Sequence, residues 1–509
     1  MKRTTKLISL LLALLVTLSL VSCAASQDSN GGVYDDYSPS VGGSPNAPSN
    51  VPNADESGPD DGTHDGFVEN PFVATLEQPV STFSADVDTA SYAYFRKLVN
   101  QGQTLSQLFR NGAAFRTEEF INYFKYDLPR PAEGELFGVQ TDVTASPWNA
   151  STMLLRISLQ AEAAVNTEGN NLVFLIDVSG SMNAADKLPL LQQSFSLLTE
   201  SLTEHDIISI VTYSGKEAVV LDGCRGNERA RILNAIEDLV ASGSTNGEAG
   251  LNKAYTLAKK HFIAGGNNRI IMASDGDLNV GISSQSELTA YVEAQRAGGV
   301  YLSVLGFGTG NYRDANMEAL ADHGNGVYYY IDGPSEAERV FGTDLLGTLY
   351  TVAKDVKLQL TFDPAYVTSY RLIGYENRVL DNEDFEDDTK DAGEVGANHQ
   401  VTVFYELTLG ENARATEADW MTLAVRYKHP NEDTSRLNEY TVGAAELLES
   451  PTADLTFMHC VIRTAAILHD SPYLEGDSLA GIVETLEGLE LSDHPEREEF
   501  LNLLKKLIG

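Results

Sequence analysis

The chain has 509 residues, and its 73 acidic and 35 basic residues give it a formal net charge of −38. A surface this acidic repels nucleic acid and anionic lipid headgroups, so the composition argues against nucleic acid as a partner and favours cations. Hydrophobic residues make up 42% of the chain, enough to bury more than one core, and three cysteines are too few for a disulfide framework.

The first 22 residues have the organisation of a secretory signal peptide. Residues 1–6 carry three basic side chains, residues 7–20 are apolar, and this run is too short for a membrane span. Leu20-Val21-Ser22-Cys23 resembles the lipobox of bacterial lipoproteins, which predicts cleavage before Cys23 and diacylation there; the alternative is an uncleaved anchor helix. We therefore expect an extracytoplasmic protein, held at the cell membrane or outer membrane by lipid.

Residues 23–66 are predicted to form a disordered acidic tether. They consist mainly of Ser, Gly, Pro, Asn and Asp, and no lysine or arginine occurs between Lys6 and Arg96. A flexible coil of this length spans about 35 Å. The folded part can therefore sample space away from the bilayer.

The N-terminal flanking region, residues 67–168, is predicted to combine helices and strands. Helical patterns cover 89–99 and 118–124, and alternating patterns predict strands at 137–143 and 152–159. Asp86-Val87-Asp88-Thr89 is similar to the nucleophile motif of haloacid-dehalogenase-like phosphatases, but no apolar strand precedes it. We interpret Asp88 or Thr89 as a helix N-cap instead.

Strands and helices alternate through residues 169–352, which predicts an α/β domain with a doubly wound, mostly parallel sheet. The predicted strands are 172–178, 207–213, 218–221, 269–274, 301–307 and 327–331. The predicted helices are 188–202, 230–239, 248–263, 286–296, 315–323 and 336–349. Glycines 306, 308 and 310 follow a strand, but the third comes one residue too early for a dinucleotide loop, so we expect a tight turn.

Polar side chains follow two of these strands and precede one of the helices. Asp177 lies at the end of the first predicted strand, and Ser179 and Ser181 follow it. Asp275 ends a later strand, and Thr245 lies just before a helix. Because ligands gather outside the carboxyl ends of parallel strands, we expect these side chains to face one another. Oxygen donors of this kind suit Mg²⁺, Mn²⁺ or Ca²⁺ rather than a soft metal.

Residues 353–509 are predicted to form a C-terminal domain of antiparallel strands followed by helices. The predicted strands are 356–362, 401–407 and 421–427, and the predicted helices are 455–468, 478–489 and 500–507. His459 lies in an apolar helical pattern and is expected in the core. Cys224 and Cys460 lie in different predicted domains and are not expected to form a disulfide.

The order Asp-x-Ser-x-Ser, Thr and Asp-Gly, in this strand context, resembles the metal-ion-dependent adhesion site of von Willebrand factor type A domains. The resemblance implies that Ser179, Ser181 and Thr245 coordinate a divalent cation, Mg²⁺ before Mn²⁺ or Ca²⁺, through their hydroxyls. It also implies that Asp177 and Asp275 bind the cation directly or through water. All five positions carry the residue type that the family has there.

The flanks resemble a bacterial subfamily of lipoproteins with an N-terminal extension, a central type A domain and a C-terminal domain of unknown function. The segments that carry this resemblance are 70–72, 82–92, 370–377 and 470–473. We infer that strands before and after the type A domain pack into one β-rich α+β module. The type A domain would then be an insertion, because the ends of an inserted domain usually lie close together.

The resemblance favours a binding protein over an enzyme. A divalent ion with few protein carboxylates keeps one coordination position open, and an Asp or Glu of an extracytoplasmic protein partner would complete it in adhesion, scaffolding or envelope assembly. The alternatives are a metal-regulated sensor or scaffold lipoprotein and a Mg²⁺-dependent hydrolase. No catalytic residues are predicted, because the sequence contains no GxSxG, HExxH or P-loop motif.

Overall fold

The structure is a computed structural model, and it describes residues 68–163, 168–244, 247–276, 285–308, 314–348, 350–415, 417–430, 432–474 and 476–509. The predicted signal peptide, the predicted tether and Cys23 lie outside the described residues. The described residues all belong to one unit, Asp60–Gly509. Among them, no helix combines the length and the apolar character that crossing a membrane requires.

Strands and helices are numbered here in chain order. The strands are β1 (Val73–Ala74), β2 (Val80–Ser84), β3 (Phe137–Ala145), β4 (Met153–Ala161), β5 (Asn170–Asp177), β6 (Ile207–Tyr213), β7 (Ala218–Arg225), β8 (Asn267–Ser274), β9 (Tyr301–Phe307), β10 (Tyr328–Ile331), β11 (Thr351–Phe362), β12 (Val367–Ile373), β13 (Gly393–Gly396), β14 (Gln400–Leu409), β15 (Asp419–Lys428) and β16 (Arg436–Gly443). The α-helices are α1 (Ala90–Asn100), α2 (Leu105–Leu108), α3 (Thr117–Tyr123), α4 (Leu188–Ser201), α5 (Arg229–Glu237), α6 (Gly247–Lys260), α7 (Gln285–Arg296), α8 (Asp314–His323), α9 (Pro334–Arg339), α10 (Leu345–Thr348), α11 (Ala453–Leu468), α12 (Leu479–Glu487) and α13 (Pro495–Ile508).

The central sheet has the strand order β10-β9-β8-β5-β6-β7, and every neighbouring pair is parallel except β6 and β7. On β5, Val173 pairs with Ser209 of β6 and with Ile270 of β8. Successive residues of β5 enter opposite cores, Leu172 with α4 and α5 and Val173 with α6 and α7. The continuous apolar run is therefore buried on both faces, and the predicted doubly wound α/β fold is confirmed.

Two antiparallel sheets combine strands from before and after the central domain. One has the order β1-β12-β14-β4-β3, and the other has the order β13-β11-β15-β16 with β2 also paired to β11. Ile157 of β4 pairs with Val403 of β14, and Leu358 of β11 pairs with Phe83 of β2. These residues share one core with Trp420. The prediction that flanking strands pack into one β-rich module around an inserted domain is confirmed.

Helices from both flanks form a layer beside the central domain. In the aromatic core of α1, α3, α11 and α13, the ring centroid of Tyr92 lies 5.6 Å from that of Phe120. The ring centroids of Phe124 and Phe457 lie 4.8 Å apart. This core is continuous with the core on the α6 and α7 face of the central sheet.

A buried arginine of α1 connects this helical layer to the central domain. Arg96 Nη2 donates to Asp332 Oδ1 and to Glu336 Oε2, both at 2.6 Å, and Nε donates to Asp332 Oδ2 at 2.7 Å. Arg96 is only 4% exposed. Because water screens these charges little, the ion pairs hold the helical layer to the end of β10 and to α9.

Thr89 lies at the N-cap position of α1, one of the two positions that the sequence predicts, but its side chain makes no capping hydrogen bond. Asp88 Oδ1 instead accepts from the backbone N–H of Tyr328 at 2.8 Å. The first turn of α1 does not need either residue, because Glu119 Oε2 accepts from the backbone N–H of Ser91 at 2.8 Å.

Two helices differ most from their predicted bounds. The helix predicted over 336–349 is divided into α9, a π-helical turn at Val340–Asp344 and α10. The closing helix begins at Pro495 rather than at residue 500. Proline suits the first turn of a helix because its missing N–H has no partner there in any case.

His459 and the two cysteines lie where the sequence predicts. His459 is buried in α11, and burial lowers its pKa to about 4. Cys224 and Cys460 are buried free thiols. The described part of the chain therefore contains no disulfide between them.

Candidate metal centre

The carboxyl end of β5 places Asp177 in the interior at the edge where the parallel strands end. Its side chain is 0% exposed, and Oδ1 accepts from the backbone N–H of Ser179 at 2.8 Å. Oδ2 accepts no hydrogen bond of ordinary geometry from the described residues, although the buried Tyr213 hydroxyl lies near this carboxyl. Burial raises the pKa of Asp177 to about 6, the hydrogen bonds from Ser179 oppose the rise, and the nearby charge of Asp275 adds to it.

A tight turn after β5 brings the two serine hydroxyls together. The chain leaves the strand and enters a 3₁₀ turn at Gly180–Asn183. The Oγ atoms of Ser179 and Ser181 lie 3.0 Å apart. Ser179 is buried, whereas Ser181 is exposed. The turn therefore presents one hydroxyl to the interior and one to solvent at the same edge of the sheet.

The segment before Thr245 is hydrogen-bonded to this turn. The backbone N–H of Ser242 donates to the carbonyl of Val178 at 2.7 Å, and the N–H of Gly180 donates to the carbonyl of Gly243 at 3.1 Å. Thr245 itself lies outside the described residues. The structure thus brings its chain neighbours to the Asp177 turn, as the predicted site requires, and leaves the threonine as a prediction.

Asp275 follows β8 and is 1% exposed. Its Oδ1 has no hydrogen-bond partner among the described residues. Its Oδ2 accepts from Lys187 Nζ at 2.8 Å. The sequence patterns do not indicate Lys187 as part of the site. The available signal was weak: Lys187 is the single basic residue between Asp177 and His205.

The backbone at Gly308 makes room for the Lys187 side chain. Gly308 has a φ of +74°, and a Cβ added there would lie 2.2 Å from Lys187 Cε. No other residue type fits without moving the lysine stem. Gly308 lies beside the centre, while the tight turn that the sequence predicts after β9 continues into residues 309 and 310, which are outside the described residues.

The donors at this edge fit a hard divalent cation. Asp177 and Asp275 each hold one buried carboxylate oxygen without a partner, and two hydroxyls lie next to them. Carboxylate and hydroxyl oxygens are the ligands that such ions prefer. Within the described ranges, no group of three or more His, Cys, Asp or Glu side chains could hold a metal. An ion here would therefore depend on the serines as well as the carboxylates.

Comparison with known families matches three segments of the chain. The family described as von Willebrand factor type A domain matches residues 172–277, and a family described as von Willebrand factor matches residues 59–156. The model described as the C-terminal part of uncharacterized protein YfbK matches residues 347–508. Uncharacterized protein YfbK of Escherichia coli K12 is 40% identical over 472 residues, which cover 87% of this chain and 80% of that protein. This chain belongs to the YfbK family. It is a bacterial type A domain protein with a C-terminal YfbK domain.

More distant similarity is confined to parts of other proteins or to the fold. Human inter-alpha-trypsin inhibitor heavy chain H3 is 31% identical over 180 residues, which cover 33% of this chain and 20% of that protein. A von Willebrand factor type A structure from Catenulispora acidiphila is 17% identical, covers 72% of this chain and 83% of its own, and has a TM-score of 0.41. The ArnB paralog VWA2 from Sulfolobus acidocaldarius is 16% identical. The match covers 73% of this chain and 97% of that protein, and its TM-score is 0.38. The type A domain suggests a role in protein interaction or adhesion for this YfbK-family chain.

Proposed function

We propose that this protein is an extracytoplasmic, lipid-anchored binding protein that captures a carboxylate of a protein partner through a divalent metal centre. The observation that carries the proposal is the pair of buried, unpartnered oxygens, Asp177 Oδ2 and Asp275 Oδ1, beside the hydroxyls of Ser179 and Ser181. Leaving such oxygens buried and unpaired is unfavourable unless a cation or another donor satisfies them. Asp177, Asp275, Ser179, Ser181 and Thr245 would hold the cation.

The composition of the donor set supports a binding role. Serine hydroxyls are neutral, so a cation held by them and two carboxylates keeps a strong attraction for one more negative ligand. Ser181 is exposed, which gives a partner's Asp or Glu a path to the centre from solvent. The bound ion would supply the electrostatic attraction, and the chain would supply its position.

The location rests on the sequence of the first 66 residues. A lipid on Cys23 would attach the mature chain to a membrane surface outside the cytoplasm, and the predicted tether would give the metal centre reach. The formal charge of −38 favours a cation over an anionic headgroup as the ligand at the surface.

A metal-regulated scaffold is the second candidate, and one connection favours it. The helical segment of the type A domain ends with α10 at Thr348, and β11 of the β-rich module begins at Thr351. The π-helical turn at Val340–Asp344 lies just before this connection. A helix displacement caused by the ion would therefore reach β11 directly. Ion-dependent hydrogen exchange in β11 would favour this candidate, and unchanged exchange would exclude it.

Ion binding is tested by unfolding the mature-length chain, with Cys23 replaced by serine, in chelator, Mg²⁺, Mn²⁺ or Ca²⁺. An ion at a hundredfold over its dissociation constant contributes about 2.7 kcal/mol. For a unit of roughly 440 residues that unfolds together, the unfolding temperature should rise by about 3 °C. Asp177→Asn should abolish the rise. The matched control is Asp222→Asn, which changes an exposed aspartate of β7 and should retain it.

Partner capture is tested with the same variants immobilised and exposed to an envelope extract. A partner of the proposed kind is retained with Mg²⁺, released by chelator, lost with Ser179→Ala and retained by Asp222→Asn. If the ion stabilises the wild type but capture is equal with and without the ion, the metal centre stands and its role in capture is refuted. If no ion changes the unfolding temperature, the metal centre itself is refuted.

A further inference from the structure

We propose that the Lys187 ammonium is a resident cation at the metal centre. A divalent ion must displace this ammonium from Asp275 in order to bind. The inference rests on the metal centre of the proposed function and adds a residue that sets its affinity. Lys187 Nζ lies 2.8 Å from Asp275 Oδ2, and the two side chains are 12% and 0% exposed. Among the described residues, no other basic side chain forms an ion pair with Asp275 or Asp177.

The placement of Lys187 is not explained by the helix that it precedes. Lys187 immediately precedes α4, a helix of 14 residues, and its carbonyl accepts from the backbone N–H of Leu191 at 2.9 Å. A cation at a helix N-terminus opposes the helix dipole. The contact that offsets this unfavourable position is the ion pair with Asp275.

The surrounding backbone is shaped to the lysine stem. Gly308 has a left-handed φ of +74°, and an added Cβ would lie 2.2 Å from Cε and 3.1 Å from Cδ of Lys187. The stem therefore lies against the backbone at the carboxyl end of β9, where glycine leaves the space open. Gly308 and Asp275, which are distant from Lys187 in the sequence, thus both border the lysine side chain.

The consequence for ion binding follows from charge and from the shared oxygen. Without an ion, the ammonium compensates one of two neighbouring buried carboxylates, so the empty centre is less unfavourable. A divalent ion needs the same carboxylate and repels the ammonium at close range. The flexible stem allows Nζ to leave towards solvent. Lys187 therefore lowers the affinity for the ion and stabilises the protein without it.

The test compares Lys187→Met, which keeps most of the apolar stem, with Lys260→Met, which removes an exposed lysine that pairs with Asp222 at 2.6 Å. Mn²⁺ affinity is measured by calorimetry on the mature-length chain, and unfolding is followed in chelator and in saturating Mn²⁺. Lys187→Met should bind Mn²⁺ at least tenfold more tightly than wild type. It should also unfold at a lower temperature in chelator, with a smaller difference in Mn²⁺. Lys260→Met should match wild type in both.

Two further variants keep the test decisive. Lys187→Arg retains the charge and should retain the weaker affinity, and Lys187→Gln replaces Lys187→Met if that variant fails to fold in chelator. Equal or weaker Mn²⁺ binding by the neutral variants, with wild type binding normally, overturns the role of Lys187 alone. If neither wild type nor a neutral variant binds Mn²⁺, the metal centre of the proposed function fails as well. If the neutral variants bind Mn²⁺ and wild type does not, the result would support the interpretation that Lys187 blocks the metal centre.

Discussion

Replacing Arg96 with methionine measures how strongly the buried charge of α1 holds the helical layer to the central domain. The change removes the hydrogen bonds to Asp332 and Glu336, whose side chains are 8% and 1% exposed. Glu336 keeps an ion pair with Arg339 at 2.5 Å and Glu499 is 42% exposed, so Asp332 is the buried carboxylate that loses its cation. Breaking a buried pair in this way costs about 3–5 kcal/mol. For roughly 440 residues that unfold together, this loss lowers the unfolding temperature by about 3–5 °C.

Urea unfolding followed by circular dichroism measures the loss of unfolding free energy directly, and two control variants identify the cause of that loss. The double variant Arg96→Met with Asp332→Asn should recover at least half of the loss, because it no longer buries an unpaired charge. Lys260→Met, which removes an exposed pair, should cost less than about 1 kcal/mol. A loss below about 1 kcal/mol for Arg96→Met, or a double variant as unstable as the single one, would refute this account of the junction.

Two further changes test packing and burial. A Cβ added at Gly250 of α6 would lie 2.8 Å from Tyr213 Cβ, so Gly250→Ala should destabilise the protein by about 1–3 kcal/mol in urea. The control is Gly342→Ala, which should not destabilise the protein because no atom lies within 4 Å of the added Cβ. Burial raises the pKa of Glu118 from 4.5 to about 8, so its contribution to stability is present below pH 4.5 and is lost as the pH rises through 8. Glu118→Gln should therefore become progressively more stable relative to wild type as the pH rises from 4.5 to 8, and parallel pH profiles would contradict the burial of an ionisable group.

The sequence predicts well those features that depend only on residues close together in the chain. The alternation of apolar runs and helical patterns is local, so the doubly wound sheet and the strands at 137–143 and 152–159 are predicted, the latter two within two residues at each end. The Asp-x-Ser-x-Ser spacing is also local. It places Asp177, Ser179 and Ser181 at one strand end without knowledge of the rest of the fold.

The features that the sequence does not predict depend on partners far along the chain. Lys187 and Asp275 are 88 positions apart, and Asp88 meets the backbone of Tyr328 across 240 positions. A lysine before an apolar helix and an aspartate before a short helix both have ordinary local interpretations, as a solvated side chain and as an N-cap. Tertiary contacts override both, because a buried carboxylate gains more from a cation or a backbone N–H than from water-exposed alternatives.

The pairing of β4 with β14 also determines the order in which the protein is built. Ser158 Oγ and Thr402 Oγ1 lie 2.9 Å apart on neighbouring strands, although 244 positions separate them in the chain. At ribosomal rates of about 5–20 residues per second, β4 emerges roughly 10–50 s before its partner. During that interval Leu155 and Ile157 have no β14 against which to pair, whereas all strands of the central sheet are synthesised in between and can fold. β1, β2 and β4 therefore all wait for partners that follow the central domain in the chain, and the module that encloses the type A domain is completed after the domain itself.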